Sequence, residues 1–503
     1  MDFLKNRLNS SAIISLIRRK KSDFWVSEKK RKSFSLFQQS AKNVPAYKKF
    51  LRKSKVDYKK IKNWEDFKNI PSISKKNYLK KYPINELCFG GDLKKPLVFT
   101  STSGSTGEPF YFNRSFDLDW QASVVHELFY LHGNYKKNEP VLILVCFGMG
   151  VWVGGLITYQ SFRLMQERGY NVSIITPGIN KEEIFKALKK IGQNYRNIIL
   201  VGYPPFIKDI IDEAPFHGID LKNFNTRLIF AAEAFTENFR DYICKALHIK
   251  NYFLDTMNIY GTADLGAMAF ETPLAILVRR LCLKNHNLFK SIFKEIKKTP
   301  TLVQYIPSFI SFDSEGDNIL VSGNNTMPFL RYSLGDHGGA FSFREISEKF
   351  LGHGIGFKKE AKKAGIEKFW YELPFVYLYE RDDLSATIYG LQVYPEPIRE
   401  ALLKRPLSSY LTGKFTLETR FDSKQNQYLL IHLETRKFQN GTLPKVIRRV
   451  VLNAIVEQLE DKSSEYRELH KFIGKRALPH LQFWPAEDPK YFKLGIKQKW
   501  VKK

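Results

Sequence analysis

Six consecutive residues combine four hydroxyl side chains with two glycines: Thr102, Ser103, Gly104, Ser105, Thr106 and Gly107. An apolar stretch leads into the run and Pro109 closes it. A loop of this kind after a strand exposes backbone N–H groups and short hydroxyls, which is the chemistry that cradles a polyphosphate. It is not a Walker A loop, because no Gly-Lys-Ser/Thr ends it. A polar surface turn is the alternative interpretation.

Composition narrows the class of protein that could carry such a loop. The chain has 503 residues, which favours about three domains or subdomains. Hydrophobic residues make up 43% and the net charge is +29, so a folded protein with anionic partners is expected. The basic residues are scattered and no zinc-finger or RNP-like motif accompanies them, so we expect no specific nucleic-acid binding.

Cysteine and histidine spacing predict a cytoplasmic protein without a metal cage. The four cysteines are far apart and form no CxxC pair, which argues against a disulfide framework. The ten histidines show no HxxxH or HExxH spacing.

Two apolar segments could in principle contact or cross a membrane, namely the N-terminus and residues 140–159. The N-terminus has charges among its apolar residues and is not typical of a signal peptide. We expect it to form an amphipathic helix docked on the protein, with peripheral membrane contact as the alternative. Its apolar side is formed by Phe3, Leu4, Leu8, Ile13, Ile14 and Ile17. Residues 140–159 carry no charge but four central glycines, so they predict a buried strand (141–146), a glycine loop and a helix start, with no transmembrane span.

The order of predicted elements indicates an α/β protein. Residues 1 to about 85 are predicted to be helical, and from 170 strands alternate with helices, as expected of a mainly parallel sheet. Residues 272–312 are less patterned, and 317–339 suggest a β-rich subdomain. After 383 the pattern changes to a compact α+β unit, in which 386–393 is predicted to be one strand. We place a domain boundary at about 380.

Five motifs in a fixed order carry a family resemblance. They are TSGSTGEP (102–109), AAEAF (231–235), YGTAD (260–264), RYSLGD (331–336) and YERDD (379–383) followed by YGLQVYPEPI. Together they resemble the acyl-adenylate-forming superfamily, and within it the phenylacetate-CoA ligase branch with its CapK-type proteins. The resemblance covers residues from about 40 to the end. It implies an N-terminal adenylation domain (1–380) of parallel sheets flanked by helices plus a β subdomain, and a small mobile α+β lid domain (381–503).

The resemblance assigns nucleotide contacts residue by residue. The 102–107 loop would close on the β- and γ-phosphates of ATP, with Thr106 as a catalytic hydroxyl, although Glu108 stands where a lysine is usual. Ala232 and Glu233 would line the adenine. Tyr260 would stack on it, Gly261 would make room and Thr262 would complete this group.

The remaining assignments concern the metal, the ribose and the moving domain. Asp264 replaces the family's glutamate as Mg²⁺ ligand, and Ala263 replaces a hydroxyl residue. Asp336 and Arg381 would hold the ribose, and Arg331 would either orient Asp336 or serve the sheet. The hinge would be Asp383. The catalytic lysine would be Lys497, with Lys493 as the next candidate.

An acyl pocket is predicted near 147–155 and 203–206. Its aromatic members would be Phe147, Trp152, Tyr203 and Phe206, which favour an aryl or medium-sized acid unless these residues are ordinary core. The implied reaction uses ATP and Mg²⁺ to form an acyl-adenylate from a small carboxylic acid, then passes the acyl group to coenzyme A. The alternatives are transfer to an amine, a hydroxyl or a carrier protein, and a non-catalytic nucleotide-binding relative.

Overall fold

A mixed sheet organises residues 141–379 in the computed structural model. The structure describes residues 9–94, 97–101, 110–135, 139–293, 299–324, 326–379, 385–403, 407–436, 445–492 and 501–502. The sheet strands are β3 (Val141–Cys146), β4 (Val172–Ile175), β5 (Asn197–Gly202), β6 (Asn225–Ala231), β7 (Thr256–Thr262), β8 (Gly266–Phe270), β9 (Thr301–Gln304), β10 (Ile310–Glu315), β11 (Asn318–Asn324), β12 (Pro328–Phe341) and β13 (Phe375–Tyr379). They follow β1 (Val98–Ser101) and β2 (Tyr111–Arg114), which form a separate antiparallel pair.

The strand order is β10-β11-β12-β13-β9-β8-β7-β6-β5-β3-β4. Strands β4, β3, β5, β6 and β7 run parallel, whereas every pairing from β7 to β10 is antiparallel. The predicted parallel arrangement is therefore confirmed for these five strands, whereas the sheet as a whole is mixed and not mainly parallel. The β-rich segment continues this same sheet instead of forming a separate one.

Helices cover both faces of the sheet. In chain order they are α1 (Ser11–Arg19), α2 (Ser22–Asn43), α3 (Pro45–Lys53), α4 (Trp64–Lys68), α5 (Phe116–His132), α6 (Val153–Glu167), α7 (Lys181–Lys190), α8 (Pro204–Glu213), α9 (Glu237–Ala246), α10 (Tyr252–Asp255), α11 (Pro273–Lys284), α12 (His286–Phe293), α13 (Phe343–Gly352) and α14 (Phe357–Lys363). Strand β5 has buried side chains on both faces: Ile198 and Leu200 belong to one apolar cluster, Ile199 and Val201 to another. Such two-sided burial is expected of a central parallel strand.

Local signals explain several helix starts. Asn180 caps α7 by accepting a hydrogen bond from the Glu183 N–H at 3.3 Å. Helix α8 begins at Pro204, whose fixed φ suits the first helical turn. The short helix α10 precedes β7, so that strand begins only at Thr256. Residues 272–312, which lacked a clear pattern, contain helices α11 and α12.

The N-terminal and uncharged segments lie on the protein body. Ile13, Ile14 and Ile17 of α1 are buried, which confirms the predicted docking for this part of the segment, whereas Phe3, Leu4 and Leu8 lie outside the described residues. Residues 140–159 form the predicted strand, loop and helix start. Among the helices that the structure describes, none has the length and apolar character needed to cross a membrane.

We call the described residues 9–379 the large unit and those from 385 onward the small unit. The small unit has β14 (Ala386–Ile388), β15 (Leu391–Val393), β16 (Leu411–Phe421), β17 (Gln427–Thr435), β18 (His480–Trp484) and β19 (Val501–Lys502). Its helices are α15 (Pro395–Leu403), α16 (Lys445–Lys462) and α17 (Ser464–Ile473). The prediction of one strand over 386–393 was wrong: β14 and β15 form a hairpin, and the tip residues Tyr389 and Gly390 have φ of 47° and 81°.

Candidate active site

The carboxyl ends of the parallel strands bring the predicted site residues to one edge of the sheet. Phe147 follows β3, Tyr203 follows β5 and Ala232 follows β6, while Tyr260 lies in β7. In open α/β sheets this edge is where ligands bind. The topology thus places Ala232 and Tyr260, the predicted adenine contacts, at the same edge as Phe147 and Tyr203 of the predicted acyl pocket.

Tyr260 and Asp336 are directly connected. The Tyr260 hydroxyl donates a hydrogen bond to Oδ2 of Asp336, a carboxylate that is 6% exposed. Asp336 lies on β12, and a left-handed Gly335 (φ 85°) precedes it. A carboxylate next to an aromatic ring suits a nucleoside, since the carboxylate can accept hydrogen bonds from both ribose hydroxyls.

Asp264 has two partners that sequence reasoning missed. The Tyr332 hydroxyl donates to Oδ2 of Asp264 at 2.6 Å, and Nζ of Lys75 lies 3.6 Å from Oδ1. Asp264 is 2% exposed, and the ammonium of Lys75 also lies 5.6 Å from the Phe112 ring centroid. Lys75 places a positive charge beside the carboxylate predicted to face the phosphates. In sequence it is one of many scattered lysines, so no local signal marks it.

The surroundings of Asp264 fit a magnesium ion that is bound by one carboxylate together with the phosphates of a nucleotide. Among the residues that the structure describes, no group of three or more His, Cys, Asp or Glu side chains could hold a metal alone. Mg²⁺ in nucleotide enzymes is typically held by one or two carboxylates plus substrate phosphates. The single buried carboxylate of Asp264 fits that mode, in which the nucleotide supplies the other ligands.

The turn after β6 has a strained residue and an unexpected side chain. Ala232 has φ of 73°, a left-handed conformation that is costly for a residue with a Cβ and is often found at functional sites. The next residue, Glu233, is 9% exposed and accepts hydrogen bonds from the Gly390 N–H and, at 2.8 Å, from Gln427 Nε2. Its carboxylate therefore contacts the small unit.

Gly261 and Thr262 shape the β7–β8 turn. A Cβ at Gly261 would lie 2.6 Å from the Gly266 carbonyl oxygen, so only glycine fits where the turn folds back. The Thr262 hydroxyl accepts from the Leu265 N–H at 3.3 Å and closes that turn. Both residues support the position of Asp264, which lies inside the turn.

Three of the four predicted acyl-pocket residues lie together. The rings of Phe147 and Tyr203 make an edge contact with centroids 4.9 Å apart, and the Trp152 ring folds over Gly148. Phe206 lies apart from them: it is fully buried in the apolar cluster on the other face of the sheet. Helix α8 begins directly after Tyr203, and Phe206 on this helix packs in a different cluster from Phe147.

A carboxyl group of the small unit reaches this pocket. Glu465, at the start of α17, accepts a hydrogen bond from the Trp152 side chain. Burial raises the pKa of Glu465 from 4.5 to about 7, although the Trp152 hydrogen bond opposes that shift. Burial, together with the nearby Glu465 charge, also raises the pKa of Tyr203.

Several predicted residues lie outside the described residues. They are the loop 102–109 with Thr102, Ser103, Gly104, Ser105, Thr106 and Gly107, then Arg381, Asp383, Lys493 and Lys497. The residue before the loop is described: the Ser101 N–H donates to the Val151 carbonyl oxygen at 3.0 Å. Ser101 therefore lies beside the glycine loop that carries Trp152.

Comparison with known proteins decides the fold. No family model matches the sequence. The chain matches a 2-hydroxyisobutyryl-CoA ligase, solved in complex with 2-HIB-AMP and CoA, with a TM-score of 0.62 and 14% identity over 96% of this chain and 90% of that one. The chain has the fold of the adenylate-forming acyl-CoA ligases.

Sequence similarity points the same way over a shorter stretch. A phenylacetate-coenzyme A ligase from Thermus thermophilus is 22% identical over 224 residues, which are 44% of this chain and 46% of that protein. The matched region thus spans about half the length of this curated relative.

Proposed function

We propose that this protein is an AMP-forming acid–thiol ligase that adenylates a carboxylic acid with MgATP and transfers the acyl group to coenzyme A. The observation that carries the proposal is the grouping of Tyr260, Asp336 and Asp264 at the sheet edge that also holds Phe147 and Tyr203. It rests as well on the ligase fold and on the partial sequence match.

In the first step a carboxylate oxygen attacks the α-phosphorus of ATP, and the bond to pyrophosphate breaks. Asp336 and Tyr260 would fix the nucleoside, while the 102–107 loop and Lys75 would face the departing phosphates. A Mg²⁺ held by Asp264 would supply charge neutralisation on the phosphates. Lys497 would bridge the carboxylate and the α-phosphate as charge develops.

In the second step a thiol attacks the acyl carbon, AMP leaves and the thiol proton is released. This step needs no protein nucleophile, so the protein would accelerate it by holding the thiol and the acyl carbon in the right geometry. We place the domain boundary at about 380 and the hinge at Asp383, so that the small unit can take a different position in each step. Arg381, next to that hinge, would reach the ribose.

The acid is proposed to be an aryl or medium-sized carboxylic acid, as for a phenylacetate-CoA ligase. Phe147, Tyr203 and Trp152 offer ring faces and edges for such a group. The four cysteines are unpaired and buried, which is compatible with the proposed cytoplasmic location.

ATP–pyrophosphate exchange with a panel of carboxylic acids tests the proposal. Exchange with at least one acid, followed by thioester formation when coenzyme A is added, is the expected result. Exchange without thioester would favour transfer to an amine, a hydroxyl or a carrier protein, as in CapK-type biosynthesis. Binding of AMP without exchange for any acid would favour the non-catalytic relative, for which Ala263 and Asp264 are the sequence argument.

A further inference from the structure

The N-terminal helices carry more than half of the protein's net charge. Residues 9–94 contain 23 Lys or Arg and seven Asp or Glu, so they contribute +16 of the total of +29. The cations are thus not evenly scattered along the chain. Repulsion among like charges works against a compact fold, so this concentration does not stabilise the region itself and indicates an anionic partner.

Helix α3 separates apolar from cationic side chains. Its buried residues pack in one apolar cluster: Ala46, Tyr47, Phe50 and Leu51. Its exposed residues include four cations: Lys48, Lys49, Arg52 and Lys53. Residues four apart lie on the same face of a helix, so the like charges at 48 and 52, and at 49 and 53, destabilise the isolated helix. The stability of α3 therefore does not explain its cations.

The cationic side chains continue beyond the helix. Four further exposed lysines follow α3: Lys55, Lys59, Lys60 and Lys62. The Tyr78 ring lies 5.6 Å from the Phe50 ring and 6.2 Å from the Tyr47 ring, which brings the exposed Lys80 and Lys81 beside α3. We call the ten Lys and Arg residues of 48–62 and 80–81 the cationic face.

Two carboxylates at the cationic face are held by local contacts. Glu86 pairs with Nζ of Lys49 at 2.7 Å. Oδ1 of Asp57 accepts a hydrogen bond from the Lys59 N–H at 3.0 Å. With these two acids counted, the face keeps a net charge of +8.

The composition of the face favours a lipid surface over a nucleic acid. Nine of the ten cations are lysines, which act as hydrated point charges, whereas arginine suits the paired hydrogen bonds of nucleic-acid recognition. The neighbouring rings that could stack on bases are buried: Tyr47, Phe50 and Tyr78. The apolar residues between the lysines are half-buried against the same cluster: Val56, Tyr58 and Ile61. The face therefore offers diffuse positive charge without a large apolar anchor.

We propose that the cationic face docks this protein on an anionic phospholipid surface, by electrostatic attraction and without insertion into the hydrocarbon core. Each Lys or Arg near an anionic leaflet favours binding about fivefold, so ten such residues suffice for reversible attachment. Salt screens this attraction and should release the protein. The inference goes beyond the proposed function and does not depend on it.

Vesicle co-sedimentation of the intact protein tests this docking. In about 0.1 M salt, we expect the wild type to pellet with vesicles of phosphatidylcholine that contain about 30% phosphatidylglycerol. It should stay in solution with phosphatidylcholine alone, or in about 1 M salt with either vesicle. A variant that combines Lys48→Gln, Lys53→Gln, Lys59→Gln and Lys60→Gln should lower the partition coefficient more than about 100-fold.

The matched control removes the same number of charges from exposed positions elsewhere. It combines Lys186→Gln, Lys189→Gln, Lys190→Gln and Lys222→Gln, and it should change the partition coefficient less than about threefold. The urea midpoint of the cationic-face variant should equal or exceed that of the wild type, since like-charge repulsion is relieved. ATP–pyrophosphate exchange without vesicles should be unchanged in both variants, so a failure of the proposed function is scored separately.

Three outcomes overturn the proposal. The first is a wild type that does not pellet with anionic vesicles, and the second is equal loss of binding in both variants. The third is fluorescence anisotropy that shows binding of a mixed-sequence RNA oligonucleotide, lost in the cationic-face variant, without any vesicle binding. That result would assign the face to nucleic acid instead.

Discussion

Glu465 gives a quantitative test of how the small unit packs against the pocket. Glu465 is half-buried, and the burial of its carboxyl group beside Trp152 and Tyr203 raises its pKa to about 7. The substitution Glu465→Gln keeps the size of the side chain and an oxygen that can accept from Trp152. It removes the ionisable carboxyl group, whose charged form is destabilised by burial.

The two pKa values determine whether Glu465 stabilises the folded protein more at low or at high pH. In the unfolded chain the group titrates near 4.5, whereas in the folded protein it titrates near 7. Between these values the folded state holds a proton that the unfolded state has lost, so the stability contributed by protonated Glu465 is complete below about 4.5 and is lost as pH rises through about 7. At about 1.4 kcal/mol per unit of pKa difference, the loss has an upper bound of about 3 kcal/mol.

The assay is urea unfolding of the wild-type protein and the variant at pH 5, 6.5 and 8, followed by tryptophan fluorescence. We expect the unfolding free energy of Glu465→Gln, relative to wild type, to rise by up to about 3 kcal/mol from the lowest pH to the highest. Glu468→Gln, on the same helix, is the matched control. A difference between variant and wild type that stays constant with pH would refute the burial of Glu465 against the large unit.

Three further predictions concern the nucleotide end of the site. Asp336→Asn should raise the KM for ATP about 10- to 100-fold, because a neutral amide replaces the charged acceptor for the ribose, and steady-state kinetics with varied ATP will measure it. Lys75→Met should weaken binding of a non-hydrolysable ATP analogue about 10-fold, with AMP binding unchanged, since Lys75 lies 3.6 Å from Asp264 at the proposed phosphate end; calorimetry with both ligands checks this, and equal loss for AMP would contradict it. Lys497→Ala should abolish ATP–pyrophosphate exchange yet spare thioester formation from a supplied acyl-adenylate, and parallel loss of both steps would show that the lysine is wrongly assigned.

Local sequence determined the elements that form the sheet edge. Apolar runs bounded by glycine or proline gave β3 and β5, and the Asn180 cap marked the start of α7, because these signals act between residues close in the chain. Tyr260 and Asp336 were assigned through the resemblance of their motifs to a known family, and the fold brings them into hydrogen-bond contact across 76 residues of sequence. The hairpin at 386–393 was missed because its turn residues, Tyr389 and Gly390, lie within an apolar run that is also compatible with one strand.

Only the tertiary structure decided which side chains meet. Lys75 and Asp264 are far apart in the chain, as are Asp209 and Arg476, which are separated by 267 positions. The pKa of Glu465 is raised only because the small unit packs against Trp152 and buries the carboxyl group. Such pairs leave no local pattern, since burial and charge proximity are set by how whole elements pack and not by spacing along the chain. The sequence by itself therefore determined the strands and the positions of the motif residues, and the packing of the two units decided which charges surround them.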